Sequence, residues 1–249
     1  MLEILAFILG VCLGSFVNVL VIRLMAEEKI NGRSHCRSCG KQLAWYHNFP
    51  LISFIWLRGK CANCHDRISW QYPIVEGGIG LLFVLGVSFM PPGDWLWLIT
   101  FFVMATYAGT LFIFDFRFKV LPDVITLSGA AVILLLNLLR GLSFTNLLLA
   151  IVVAAGFFAL QYFISRGRWL GAGDIRLGAL MGAALGWPDV ITAIVISYWL
   201  GAVVGLILVI FRNYGLKSEL AFGTFLTAAT VAVFIWGEVM VNWYIRLVG

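Results

Sequence analysis

Apolar residues run along this chain in stretches too long and unbroken for a globular core. Between short polar breaks the runs are about Leu2–Ile22, Pro73–Met90, Trp95–Phe114, Val124–Leu139, Leu147–Ile164, Ile175–Trp187, Val190–Phe211 and Leu220–Ile245. A helix needs roughly 20 apolar residues to cross a bilayer. The pattern therefore predicts an all-α polytopic membrane protein of about eight transmembrane helices. Ile175–Trp187 is short, reaching only about 20 Å at 1.5 Å per residue. Either it extends backward through Gly171-Ala172-Gly173-Asp174, or that stretch enters the membrane as irregular backbone lining a polar cavity.

Composition agrees with the pattern. Hydrophobic residues make up 62% and charged residues 12%, against roughly 25% charged in soluble domains. The net charge of +5 is a topology signal. Lys and Arg form no strip interleaved with aromatics, so nucleic acid is not expected as a partner. The first segment has Glu3 as its only early charge and no small-x-small site after it, so it reads as a retained anchor rather than a cleaved signal.

Charge sets the expected sidedness. With the N-terminus outside, the inside segments hold Arg23, Lys29, Arg33, Arg37, Lys41, Arg58, Lys60 and Arg67, then Arg117 and Lys119, then Arg166, Arg168 and Arg176, then Arg212 and Lys217; Arg140 and Arg246 remain outside. This is a strong positive-inside bias. It places Asp115 and Asp174 at the same, cytoplasmic edge of the membrane.

Residues 25–72 form the one long polar stretch. They carry Cys36-Arg37-Ser38-Cys39 and Cys61-Ala62-Asn63-Cys64, two C-x-x-C knuckles suited to a closed four-thiolate zinc site. Gly40 and Gly59 flank the knuckles and suit tight turns. Two disulfides are the alternative, disfavoured in a reducing cytoplasm, and a redox role lacks the surrounding βαβ pattern. His35, His47 and His65 read as surface or supporting groups, since four thiolates suffice. Cys12 reads as a small buried hydrophobe. Ser15 and Asn18 read as helix-packing positions with a hydrogen-bonded amide.

Only twelve Asp and Glu occur in the chain, and a carboxylate inside a bilayer is costly unless paired, protonated or wet. Asp115 closes one apolar run and Asp174 opens another. Two neighbouring carboxylates are the minimum kit of an aspartic protease, one activating water and the other, protonated, polarising the peptide carbonyl. Gly171 and Gly173 would let backbone and substrate approach closely. Asp123 and Asp189, each after a proline, read as helix N-caps. Glu76 and Glu238 fall in or near spans without an assigned role. A proton- or ion-coupled transporter using the same acids is the competing reading, although no inverted pair of broken helices supports it. A non-catalytic zinc scaffold is the third.

Several motifs in order resemble the type IV prepilin peptidases. They are Leu13-Gly14-Ser15-Phe16-Val17-Asn18-Val19 with Arg23; the paired C-x-x-C segment enclosing Asn48-Phe49-Pro50-Leu51-Ile52-Ser53; Ile68-Ser69 and Tyr72-Pro73-Ile74-Val75-Glu76; Asp115 with Leu121-Pro122-Asp123 and Thr126-Leu127; Gly171-Ala172-Gly173-Asp174 with Leu177 and Leu185-Gly186-Trp187; and Phe222-Gly223-Thr224-Phe225-Leu226. The chain departs from the family pattern at His47, where Asp is usual, at Arg176, where Lys is common, and at Thr224, where Pro is usual.

The resemblance implies an eight-helix GxGD-type aspartyl protease of the bacterial inner membrane. Its substrates would be prepilins or pseudopilins, with a basic leader followed by an apolar helix. Asp115 and Asp174 would be the catalytic pair, supported by Gly171 and Gly173. It further implies N-methylation of the new terminus with S-adenosylmethionine, associated with the cysteine-bearing part. The expected organisation is residues 1–72, one transmembrane helix plus the tetra-Cys segment, and residues 73–249, the peptidase domain.

Overall fold

The computed structural model describes residues 1–212 and 220–248. Lys217 lies outside the described residues, as do the side chains of Arg212 and Glu238. The described chain is all-helical: α1 Leu2–Met25, α2 Ile52–Trp56, α3 Gln71–Phe89, α4 Trp95–Phe118, α5 Asp123–Leu139, α6 Phe144–Ser165, α7 Ala172–Leu185, α8 Asp189–Arg212 and α9 Phe222–Val248. A 3-10 turn covers Trp45–Asn48, and no strand forms among the described residues beyond two isolated bridges. Five helices, α1, α3, α4, α6 and α8, are long and apolar enough to cross a membrane. Two shorter apolar stretches, α5 and Phe222–Gly237 of α9, accompany them. By internal contact the chain falls into two units, Met1–Met90 and Pro91–Gly249.

In the first unit α1 packs on α3 through small residues. A Cβ added at Gly10 would lie 2.8 Å from Gly80 Cα, and one at Gly14 would lie 2.7 Å from Glu76 Cα. Such close backbone approach is how helices associate where lipid removes the hydrophobic drive. Polar groups on the same face are satisfied. Asn18 Nδ2 donates to the Tyr72 carbonyl at 3.2 Å and Gln71 Nε2 donates to Asn18 Oδ1 at 3.2 Å. Glu76, unassigned in the sequence, is buried and accepts the Leu51 N–H at 2.8 Å. Buried Arg23 donates to the carbonyls of Ile30, Gly32 and Arg33, gathering the chain just beyond α1.

In the second unit α7 is central, touching α5, α6, α8 and α9. The helix does extend backward through the glycine tetrad, yet its 14 residues still span only about 20 Å. A helix this short is tolerable at membrane depth because protein surrounds it and its ends are satisfied. Asn137 Nδ2 donates to the carbonyls of Ala183 and Ala184 at 2.7 and 3.0 Å, and Asn146 donates to the Trp187 carbonyl while accepting the Trp187 N–H. Gly178 and Gly182 admit α6 so closely that a Cβ at Gly182 would fall 2.5 Å from the Ile151 nitrogen.

α4 and α9 form the other seam, where Trp97, Phe101 and Phe234 cluster at centroid distances of 5.3 to 5.7 Å. Large apolar side chains stay exposed on outer faces, such as Trp199, Leu206 and Phe211 of α8. A water-soluble surface would not expose them in such numbers.

Two expectations change. α4 does not stop at Phe114: it runs one turn further, through Asp115 to Phe118, and Lys119 closes it in the left-handed conformation by donating its N–H to the Asp115 carbonyl. Asp123 is not an N-cap. Extended Pro122 occupies that position, so Asp123 is already helical, and its carboxylate pairs with Arg176 of α7 instead.

Candidate functional site

The four knuckle cysteines come together. Cys36, Cys39, Cys61 and Cys64 are free thiols whose sulfurs all lie within 4.8 Å of one another, with Cys36 and Cys64 3.8 Å apart. Zn–S bonds of about 2.3 Å at tetrahedral angles put sulfurs about 3.8 Å apart, so the donor set fits a single closed zinc site. The two knuckles are built alike. Cys36 N–H donates to the Lys41 carbonyl and Gly40 N–H to the Cys36 carbonyl. Cys61 N–H donates to the Asp66 carbonyl and His65 N–H to the Cys61 carbonyl. Gly40 and His65 are therefore equivalent positions, at φ 72° and 58°. His65 fills a turn position that favours glycine, and no histidine joins the sulfur cluster.

Ser38 hydrogen-bonds Asp66, and Lys41 Nζ donates to Asn63 Oδ1 at 2.8 Å, tying one knuckle to the other. The Ser38 hydroxyl, then the Arg67 N–H, hold the Asp66 carboxyl below its ordinary value. The Cys36 thiol is drawn down to about 6, chiefly by the backbone N–H of Cys39. Cys12, expected to be buried, is exposed on α1, where a small apolar side chain facing lipid costs nothing.

The aspartates are placed by helix starts. Asp115, 6% exposed in the last turn of α4, accepts the Thr224 N–H at 2.8 Å, and the Gly223 N–H also bonds to it. A carboxylate on one helix thus satisfies the free amides that open α9, which Gly makes reachable: a Cβ at Gly223 would sit 2.9 Å from Asp115 Oδ2. The Pro usual at position 224 in the resembling family could not make this bond, since proline has no N–H. Asp174, 7% exposed, is the third helical residue of α7. Its Oδ2 accepts the Gly171 N–H at 3.0 Å while its own N–H donates to the Gly171 carbonyl at 3.1 Å. Asp174 thus lies at the positive end of the α7 dipole, and the Asp115 carboxylate, although in the last turn of α4, meets the positive end of α9.

The two carboxylates lie near enough for the charge of Asp115 to act on Asp174. Leu121 reaches the glycines beside them, 3.0 Å from a Cβ at Gly173 and 3.3 Å from one at Gly223. Reasoning from sequence did not single out Leu121 or the amides of Gly223 and Thr224 as parts of this arrangement. The ordered Phe222-Gly223-Thr224 motif was the available signal.

Comparison with known proteins covers both parts of the chain. The profile of the Bacterial Peptidase A24 N-terminal domain matches residues 8–90, and that of the Type IV leader peptidase family matches residues 100–206. The chain is similar to the Prepilin leader peptidase/N-methyltransferase of Aeromonas hydrophila, 31% identical over 97% of this chain and 93% of that protein. Proteins of the same name from Myxococcus xanthus (strain DK1622) and Legionella pneumophila are 33% and 28% identical. They cover 82% and 95% of this chain, and 62% and 92% of their own lengths. No solved structure matches. Two profiles in order, and relatives matched over nearly the whole length, show that the chain belongs to the type IV leader peptidase family.

Proposed function

We propose that this protein is a membrane-embedded aspartyl endopeptidase that removes the leader of type IV prepilins or pseudopilins and then methylates the new N-terminus. The observation that carries the peptidase half is the pair of buried aspartates, Asp115 and Asp174, each held by backbone amides and near enough for the charge of Asp115 to act on Asp174. Neighbouring carboxylates cannot both ionise cheaply, so the pair shares a proton. The ionised member takes a proton from water as it attacks the scissile carbonyl. The protonated member donates a hydrogen bond to the developing oxyanion, then the proton passes to the leaving amine. Gly171 and Gly173 keep the backbone beside Asp174 low enough for an extended substrate.

The amides bound to each carboxylate fix its orientation without neutralising it. Lys119, whose charge acts on Asp115, sits where α4 ends. The distribution of Lys and Arg supports a cytoplasmic site in a bacterial inner-membrane protein with its N-terminus outside. A substrate with a basic leader would then present its scissile bond at that edge, its apolar helix remaining in lipid. The division of labour follows the sequence, with residues 1–72 serving methyl transfer and residues 73–249 proteolysis. S-adenosylmethionine is the methyl donor this reading requires. Cys36, Cys39, Cys61 and Cys64 would hold a zinc ion whose closed coordination leaves no position for water, so its role is structural.

The test incubates purified full-length protein with a prepilin leader peptide, with and without S-adenosylmethionine, and reads the products by mass spectrometry. Cleavage by the natural chain and none by Asp115→Asn or Asp174→Asn is the expected result. Full cleavage by either variant overturns the dyad. Ion flux without cleavage would favour a transporter.

A further inference from the structure

Beside the second knuckle lies a cavity of about 660 Å³ with an apolar floor that includes Phe54, Ile68 and Pro73 and a rim carrying Arg58, Lys60 and Arg67. Two of these cations face each other. Lys60 and Arg67 are partners in an isolated antiparallel bridge, which sets like charges directly opposite each other and is destabilising on its own. The matching bridge of the first knuckle joins His35 and Gln42 and carries no such clash.

Arg58 adds a third charge from an unfavourable position. The Gly59 and Arg58 N–H groups donate to the carbonyls of Phe54 and Ile55, the pattern that ends a helix with glycine in the left-handed place. Here that place, at φ 52°, holds Arg58. None of the three cations forms an ion pair with a carboxylate among the described residues. A non-glycine residue kept in that conformation, and two cations kept face to face, are features that persist where function requires them.

The surroundings say what the anion is attached to. Pro73 lies in the first turn of α3, a helix long and apolar enough to cross a membrane. Trp70, just before that helix, is exposed on the rim and packs on Phe54 at 5.0 Å, and Ile55 and Trp56 of α2 are likewise exposed. Exposed aromatic and aliphatic side chains beside cations at the mouth of a span are the signature of the headgroup region.

We propose that this cavity binds an anionic phospholipid, its phosphate held between Arg58, Lys60 and Arg67 and its acyl chains over Phe54, Ile55 and Trp70. The lipid relieves the repulsion between Lys60 and Arg67 and fixes the tetra-Cys segment's α2 edge to the bilayer that α3 enters. The occupant is a lipid rather than a free anion because the three cations line one cavity together with apolar side chains at the mouth of a membrane-long helix.

The experiment places the full chain in nanodiscs of phosphatidylcholine containing a minority of phosphatidylglycerol and measures retained lipid by native mass spectrometry. The natural chain should retain phosphatidylglycerol selectively. Each cation lost should reduce that selectivity about fivefold, so Arg58→Gln, Lys60→Gln and Arg67→Gln combined should remove about a hundredfold. Lys29→Gln, Arg33→Gln and Arg37→Gln combined should leave it within about twofold. Lys60→Gln alone, at an exposed position whose side chain makes no ion pair among the described residues, should still lower selectivity about fivefold, which keeps the test valid if the triple variant does not fold. Unchanged selectivity in the cavity variants, or equal loss in the control triple, overturns the site. Displacement of the lipid by millimolar inorganic phosphate would show a free-anion site and equally overturn it.

Discussion

The tetra-Cys segment and the aspartate pair gather their side chains by opposite means. Four sulfurs meet because two tight turns, each closed by its own backbone hydrogen bonds, present two cysteines apiece. The aspartates come near one another because α9 packs on both α4 and α7: the Thr224 amide that holds Asp115 is 109 residues away in sequence. The first arrangement is local, its two halves tied by Ser38–Asp66 and Lys41–Asn63 and gathering four sulfurs that would suit one ion. The second is global and draws its precision from a helix bundle. Damage to one should therefore leave the other largely standing.

The largest expected effects test the bundle. Asp115→Asn and Asp174→Asn should each lower leader cleavage by at least about 10²–10⁴-fold, while methyl transfer to a peptide supplied already cleaved persists. Separate mass-spectrometric assays of the two reactions check this, and joint loss would break the comparison. Next, Gly223→Ala drives a Cβ to within 2.9 Å of Asp115 Oδ2. It should lower cleavage by more than about tenfold, since small displacements of a catalytic group are costly. Gly173→Ala has the Leu121 side chain as its nearest neighbour, at 3.0 Å, and should cost less; kcat measured for both variants gives the order.

The local site is tested next. Chelation, or Cys61→Ser with Cys64→Ser, should take metal content from one ion per chain to near zero and unfold the segment, because ligation supplies its folding free energy. Methyl transfer should fail before cleavage does. Added zinc restoring cleavage to a chelated and still folded enzyme would count against the aspartyl mechanism. The smallest effects concern single contacts. His65→Gly should keep the full metal content and shift stability by no more than about 1 kcal/mol, as glycine suits the turn. Asp123→Asn removes the exposed pair with Arg176 and should cost about 0–1 kcal/mol, with cleavage retained; thermal unfolding in detergent measures both.

Legibility followed the same division. C-x-x-C spacing announces a sulfur cluster because its geometry is written within four residues. Apolar runs announce helices because lipid-facing positions need no alternation, so the helices were readable while their ends were not. The extra turn of α4 past Asp115 depends on a left-handed Lys119, and no spacing rule places a lysine there. The role of the α9 amides, the pairing of Asp123 with Arg176 and the burial of Glu76 under the Leu51 N–H arise from packing between distant segments. The equivalence of His65 with Gly40 was hidden because backbone conformation, not side-chain type, relates them.

α7 behaves as a spacer of fixed length. Asn137 and Asn146 anchor its C-terminal end, and Asp174 stands in its first turn. One residue inserted between Ile175 and Leu185 would carry Asp174 about 1.5 Å along the axis and turn it by about 100°, away from Asp115. No adjustment of neighbouring loops could undo that while the anchors hold. Insertions and deletions should thus be excluded from this helix even at positions where almost any apolar side chain would do, and length rather than composition becomes the quantity that selection guards.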